Sequence, residues 1–262
     1  MNYLNWLEKL KISPNFWCSA EYIHRARLSE ILQSWNRWLS IEATETDRAV
    51  MFPIIDVLNG CLTNDKREIW ADFEGWEGEG LKPEFLDYEY IYNPKEFLTL
   101  TGGKWATFRK NSRKFPSRFK GSLRYDWVQI YSHHFSNSEE SLTGLLLRWL
   151  AGQGENTEIY DDEVMLDYLK NGWNRKILWD EDGSIHGINI WDENYKYINF
   201  RYCFCRKEEF LSEYMRLLFY TDPYIQERNK LVNDGGTLDN PDLKFFKDKL
   251  NPLKVREVRS WK

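Results

Sequence analysis

No apolar stretch in this chain of 262 residues approaches the ~20 residues that a membrane-crossing helix needs. The first residues, Met1 to Lys9, lack the charged-then-apolar order of a secretion signal, and a cytoplasmic location is the expectation. Histidine occurs only four times, and the cysteines are Cys18, Cys61, Cys203 and Cys205. No further Cys/His pair stands at zinc-ligand spacing near Cys203-Phe204-Cys205, so two buried free thiols on one strand face are expected, and no metal. The chain also lacks short-period repeats and low-complexity linkers; the most loop-like run is 74–80. One absence is local. Between Glu96 and Asp126 there is no acid, while Lys104, Arg109, Lys110, Arg113, Lys114, Arg118, Lys120 and Arg124 all fall there, although the formal net charge is -5. A basic segment in an acidic chain directs a field toward an anionic partner; the plainer alternative is a solvated helix face balanced by acids elsewhere.

What is present excludes disorder. Hydrophobic residues are 42% and aromatics 16%, with 13 Trp, which is enough to fill one large core or two small ones. From residue 123 the periodicities are plain. A β-rich run at 123–131 precedes helical spacing at 139–150 and 161–169. Strand-like runs follow at 176–179, 185–191 and 197–205, with Asp182-Gly183 and 192–194 as turns. The acids of 180–182 fit hairpin-turn chemistry better than a metal site. A helix at 208–220, with Phe210, Leu211, Tyr214, Leu217 and Leu218 as its apolar side, leads to a short strand at 230–232. Asn240-Pro241 opens a helix whose stripe is Leu243, Phe246 and Leu250, and 255–261 closes as a strand. The order is β-α-α-β-β-β-α-β-α-β. Before residue 123, helices are expected at 2–10, 94–100 and 104–115, the last stopped by Pro116, and strands at 28–35, 38–44 and 50–55.

Two segments carry a resemblance. Leu100 to Phe115 is similar to the L-S-G-K-K-Y-x-x-K-R-N-x-I-x-x-F signature of the phosphatidylglycerol lysyltransferase C-terminal domain family, with Leu100, Gly102, Lys104, Arg109 and Phe115 in register. Asn233 to Pro252 resembles that family's closing N-x-E-x-D-L-G-x-x-G-L-R-x-x-K-x-x-Y-x-P, matched at Asn233, Leu238, Leu243, Lys247 and Pro252. The chain departs from it at Lys110, Gly235, Thr237, Asp239 and Asp242, so the acidic pair of the closing motif is missing. The resemblance covers roughly residues 85–262. It implies an α+β, GNAT-like (acyl-CoA N-acyltransferase) fold in two tandem halves, 1–120 degenerate and 121–262 the C-terminal GNAT domain.

The implied activity is transfer of an acyl or aminoacyl group to an amine or hydroxyl acceptor. No Ser-His-Asp or Cys-His arrangement is legible, so direct attack is the expected mechanism, and none of the four histidines is singled out. Two donors stay open, acyl-CoA and aminoacyl-tRNA. GNAT enzymes that take acyl-CoA cradle its pyrophosphate in a Gly-rich loop after the fourth strand, and here that junction is Cys205-Arg206-Lys207-Glu208. Asn233 and Asp234 are the expected catalytic pair, Asn233 toward the acyl carbonyl and Asp234 as proton acceptor, with Arg201 and Tyr202 in reach; a plain polar turn with Gly235-Gly236 is the competing reading. Lys104, Arg109, Arg113, Arg206, Lys207 and Lys247 are the expected donor- or substrate-binding set, facing a phosphorylated ligand, tRNA or DNA. The alternative function is a nucleic-acid-binding or nucleic-acid-modifying protein on the same fold.

Overall fold

The computed structural model of the protein describes residues 16, 19–25, 40–42, 49–51, 69–71, 83–119, 121–129, 138–152, 162–237 and 239–261. The expected helix at 2–10, strand at 28–35 and loop at 74–80 lie outside them, as do Cys18, Cys61, Lys120, His133 and His134. Among the described residues no helix is long and apolar enough to cross a membrane.

The elements are α1 (Ala20–Arg25), β1 (Ser40–Glu42), β2 (Ala49–Met51), β3 (Ile69–Ala71), β4 (Pro83–Tyr92), α2 (Glu96–Thr99) and α3 (Ala106–Arg118). Then come β5 (Leu123–Trp127), α4 (Ser138–Ala151), α5 (Asp162–Asn171), β6 (Asn174–Asp180), β7 (Ile185–Glu193) and β8 (Tyr197–Cys205). The chain ends with α6 (Leu211–Thr221), α7 (Pro223–Glu227), β9 (Leu231–Asn233), α8 (Pro241–Lys249) and β10 (Lys254–Trp261). A 3-10 turn, Gly103–Trp105, leads into α3. Beyond residue 123 the expected order holds, with α7 added. Its opening is explained by Asp222, whose side chain accepts from the Tyr224 N–H, and by Pro223 at the first position. The helix α3 runs two residues past Pro116 rather than stopping there, because a proline in the last turn breaks little.

β1 and β2 form a separate antiparallel ribbon. The other strands make one eight-stranded sheet in the order β3-β10-β4-β9-β8-β7-β6-β5, which crosses residue 120: β3 and β4 precede it and β5 to β10 follow. The β4 strand, unread in the sequence, lies between β9 and β10. The β6–β7 turn bears out the hairpin reading of its acids. Asp180 Oδ1 accepts the N–H groups of Asp182 at 3.0 Å and Ser184 at 2.8 Å, and Gly183 takes a positive φ of 77°.

Each face of the sheet has its own core. On one face α4 and α5 bury Leu145, Leu146, Met165 and Leu169 against Ile177, Ile188, Ile190 and Phe204. On the other, α2, α3, α6 and α7 close over Tyr90, Tyr92, Trp191, Ile198, Phe200 and Val232, with the Phe97 and Tyr220 rings stacked 3.9 Å apart. Full burial of side chains like these stabilises by ~1.5–3 kcal/mol each. The buried side of α6 differs from the expected one. Leu211, Met215 and Phe219 point inward together with Arg216 and Tyr220, while Tyr214, Leu217 and Leu218 are partly covered. In α8 the innermost residue is Lys247, and Leu250, just past its end, is buried as well.

Candidate active site

Six of the seven strand pairings in the sheet are antiparallel, but β8 and β9 pair parallel, and for three residues only: Tyr197 with Leu231, Ile198 with Val232, Asn199 with Asn233. The strands then part. Asp234 and Gly235 stay with β4, through Asp234 N–H to Tyr90 O at 2.9 Å and Tyr90 N–H to Gly235 O at 3.2 Å. The β8 strand continues to Cys205 beside β7, and at the fork it carries an extra residue. Ile190 pairs with Tyr202 and Trp191 with Phe200, so Arg201 is bulged. A fork between parallel strands, at their carboxyl ends, is where open sheets place ligands.

Side chains of opposite faces meet at this fork. Successive strand residues point to opposite sides, so the expected pair Asn233 and Asp234 is divided between the two. On the α5 face the Asn233 amide donates to Glu89 Oε2 at 3.0 Å and its oxygen accepts the Gly235 N–H at 2.9 Å. Glu89 also pairs with Arg256 and accepts the Phe16 N–H. Beside it Arg201 grips Asp192 with two bonds, 2.6 and 3.1 Å, and reaches Ser19 at 3.1 Å. Asp192 further accepts from Tyr168 at 2.7 Å and Asn199 at 2.9 Å. The Phe16 ring spans the fork: Arg201 lies 4.3 Å over it, and a Cβ on Gly235 would stand 3.1 Å from it. Tyr202 turns away into the α5 core, stacked on Phe204 and edge-on to Tyr168.

On the α6 face Asp234 is the centre. Its Oδ2 accepts from Arg216 at 2.7 Å and Tyr220 at 3.4 Å, while Oδ1 faces Lys247 Nζ at 3.5 Å. The Arg216 guanidinium lies 3.9 Å over the Phe200 ring and so occupies the space between β8 and the loop after β9. Lys247, 3% exposed, donates to three successive carbonyls, those of Asp234 at 2.5 Å, Gly235 at 3.2 Å and Gly236 at 2.6 Å. Burial holds its ammonium below the usual lysine range, with the Asp234 charge opposing. Asp87 completes the clamp by accepting the Thr237 N–H at 3.0 Å, and it leaves no room for a side chain at 236, where a Cβ would come 1.9 Å from Asp87 Oδ2. Burial, reinforced by the Asp234 charge, pushes the Tyr220 and Tyr92 hydroxyls far above the usual tyrosine range.

The remaining expected residues are scattered. Arg109, half-buried, donates to the Leu100 carbonyl, where α2 ends in a left-handed residue with φ 48°. Lys104 pairs with Glu96 at 2.8 Å on the surface. Arg113 and Lys110 lie exposed on α3. The C-terminal half of α3 approaches the β8–α6 junction: Lys114 and Arg118 cover the Phe210 ring at 4.2 and 4.8 Å, and Arg118 pairs with Glu209 at 2.7 Å. Arg206, half-exposed, and Lys207, exposed, thus adjoin the basic end of α3, away from Lys104. Of the ten expected residues, Asn233, Asp234, Arg201 and Lys247 gather at the fork. Sequence reasoning missed Arg216, Tyr220, Glu89, Arg256 and Asp192. The one legible signal was Arg216 and Tyr220 four apart, flanking the Leu211, Met215, Phe219 stripe.

No protein-family model matches the sequence, and no curated protein matches it either. Solved structures do resemble the fold. A conserved protein of unknown function from Bacteroides thetaiotaomicron matches with a TM-score of 0.54 at 15% identity, over 69% of this chain and 61% of that one. L-PGS from Bacillus licheniformis matches at 0.54 and 17%, over 74% and 65%. FemX matches at 0.57 and 10%, over 100% of this chain and 96% of that one. The chain therefore spans less than two thirds of the first two and nearly all of the third. At such identities the likeness is one of fold: the protein has an α+β, GNAT-like fold.

Proposed function

We propose that the protein transfers an acyl or aminoacyl group by direct attack at the β8–β9 fork, and that its donor is an aminoacyl-tRNA rather than acyl-CoA. The fold-level likeness to L-PGS and FemX supports the reaction class. The observation that carries the reading is the fork itself, parallel strands parting beside a carboxylate whose Oδ2 is committed to Arg216 and whose Oδ1 faces Lys247 at the longer distance of 3.5 Å. Oδ1 is the atom proposed to take the acceptor's proton. Asn233 and Lys247 then act by positioning, since both hold the loop that presents Asp234.

The choice of donor rests on the first turn of α6. That helix end would meet a CoA pyrophosphate, but Phe210 precedes it in a left-handed conformation, φ 68°, with no side-chain cap. The Lys114 and Arg118 chains of α3 lie on Phe210, and Glu213, in the first turn, is paired with Lys249 at 2.6 Å and Asn111 at 3.1 Å. A carboxylate and an aromatic ring thus stand where a pyrophosphate would need N–H groups and glycine. The exposed Lys110, Arg113 and Lys207 offer phosphate contacts outside it.

Acetyl-CoA titrated by calorimetry should give no heat at millimolar ligand, whereas a mixture of radiolabelled aminoacyl-tRNAs should be bound and deacylated or transferred. Asp234→Asn should lower that turnover by ~100-fold or more, with tRNA affinity and circular dichroism unchanged. Saturable acetyl-CoA heat would overturn the donor assignment, and full activity of Asp234→Asn the base assignment. Tight tRNA binding by a wild type inert toward every aminoacyl donor would favour the binding-protein alternative.

A further inference from the structure

Two asparagines stand side by side at the base of the fork, and only one of them is fully bonded. Asn199 of β8 and Asn233 of β9 are the last directly opposed residues before the strands part, and neither is exposed. The Asn233 amide is used at both ends, its N–H on Glu89 and its oxygen on the Gly235 N–H. The Asn199 amide donates to Asp192 Oδ1 at 2.9 Å, while its own Oδ1 has no donor among the described residues. Turning the amide over does not cure this, because it would set the amide oxygen against the Asp192 carboxylate. A buried acceptor without a donor is costly to the fold, and one at a candidate site points to a ligand.

The next residues outward on the same side are Arg201 and Gly235, each two positions further along its strand. Arg201 bonds the same Asp192 carboxylate as Asn199, which fixes it to that side. The Phe16 ring fills the widening between them. It lies 4.3 Å from the Arg201 guanidinium and against Gly235, where a Cβ would come within 3.1 Å of it. A hydrogen bond from the Phe16 N–H to Glu89 Oε1, 2.6 Å, sets the ring there. The α6 side of the fork is filled differently, by Arg216 in an ion pair with Asp234 at 2.7 Å. Breaking a buried pair costs more than moving a ring off a cation, so the Phe16 side is the one that yields to a ligand.

The partner that Asn199 Oδ1 calls for is an N–H or O–H group on whatever enters the fork. A plain acyl chain carries none beside its carbonyl, whereas an aminoacyl group carries an amino group on the adjoining carbon. We propose that the α5 side of the fork binds the free α-amino group of an aminoacyl donor, with Asn199 Oδ1 as its hydrogen-bond acceptor and Phe16 as the ring displaced to admit it. The identity of this ligand rests on the transfer reading above. The acyl carbon then lies between the two sides of the sheet. The acceptor's proton leaves toward Asp234 on one side, and the donor's amino group is held on the other. Asn199 thus selects aminoacyl over acyl groups, and Asp192 positions it by fixing which way its amide points.

The test compares alanyl-tRNA with propionyl-tRNA, which lacks only the amino group. Intrinsic ester reactivity favours the alanyl ester equally in every variant, so the readout is the change in the ratio of the two kcat/KM values. Asn199→Leu, similar in volume, should lower that ratio by about tenfold or more, the worth of one hydrogen bond to a charged group. A variant that is merely less well folded would lose both activities in proportion and keep the ratio. Saturation-transfer NMR on the full-length wild type needs no variant: alaninamide should receive magnetisation from the protein, and propionamide should not. A ratio unchanged in Asn199→Leu, or equal signals from the two amides, would overturn the subsite. A wild type inert toward both esters yet contacting alaninamide alone would remove the transfer reading and leave the subsite standing.

Discussion

The fork and the outer face of α3 use the same residue types to opposite ends. At the fork Arg201, Arg216, Lys247 and Arg256 are buried, each bonded to a carboxylate or a row of carbonyls. On α3 Lys110 and Arg113 are exposed, and the pairs Lys104–Glu96 and Arg118–Glu209 lie at the surface. A buried charge bonded to its partner is committed to the fold, because losing either member strands the other in low dielectric. An exposed one keeps its hydration and long-range field and remains available to a ligand. The comparison assigns structure to the first group and recognition to the second, and it breaks if substitutions in the two groups have similar effects on stability.

The largest effect is expected from Arg216→Met, which takes from buried Asp234 its close cation and leaves it beside Tyr220 with the longer Lys247 contact. The loss should be ~3–5 kcal/mol, measured by chemical denaturation. The double variant Arg216→Met with Asp234→Leu should recover a substantial part of it, since an apolar pair of similar volume removes the stranded charge. A single-variant loss under ~1 kcal/mol would place Arg216 with the surface cations.

Why the fork was only partly legible follows from the same residues. The β6, β7 and β8 strands announce themselves through apolar runs broken by Asp-Gly and Asp-Glu-Asn turns, which are local signals. The β4 strand alternates tyrosines with Glu84, Asp87 and Glu89, a pattern of solvated acids, yet Glu89 is buried because Asn233 and Arg256 reach it from 144 and 167 residues away. No local pattern encodes partners at that distance. Lys247 read as a donor- or substrate-binding lysine for the same reason, since its three carbonyl acceptors come from a loop whose path depends on β4. By contrast Asn240 and Pro241 were legible as a helix start, and Asn240 accepts the N–H groups of Asp242 and Leu243. The α6 stripe was misjudged by the ordinary assumption that an arginine belongs outside.

A smaller effect is expected where buried and exposed character mix. Glu213 joins three helices, accepting from Lys249 of α8 and Asn111 of α3. Burial alone would raise its carboxyl, but those hydrogen bonds outweigh burial and hold it below the usual range of 4.5. In the window below 4.5 the unfolded chain therefore binds more protons than the folded one, and stability rises with pH. The contribution is fully present above pH 4.5 and disappears as pH falls through the folded value. Glu213→Gln should flatten the stability curve in this acid window. Urea midpoints at pH 6 and pH 3.5 should fall less steeply in the variant; parallel curves would mean that the Lys249 bond does not discriminate between protonation states.

The smallest effect on stability, and the sharpest form of the comparison, is Lys110→Ala with Arg113→Ala. Both side chains are exposed, and surface substitutions away from caps and buried pairs usually stay within ~0.5 kcal/mol. Denaturation midpoints should therefore be close to wild type. Binding of a tRNA should change instead. Each phosphate contact releases counterions, so the logarithm of affinity falls with the logarithm of salt concentration in proportion to the contacts made. Removing two should weaken binding at low salt and reduce the slope by about 2. A variant that binds less tightly with the same slope would show that the pair acts through shape rather than charge. A variant that unfolds more readily while binding as before would exchange the roles of the two regions, because α3 would then be the scaffold and the fork would have to supply the anion contacts.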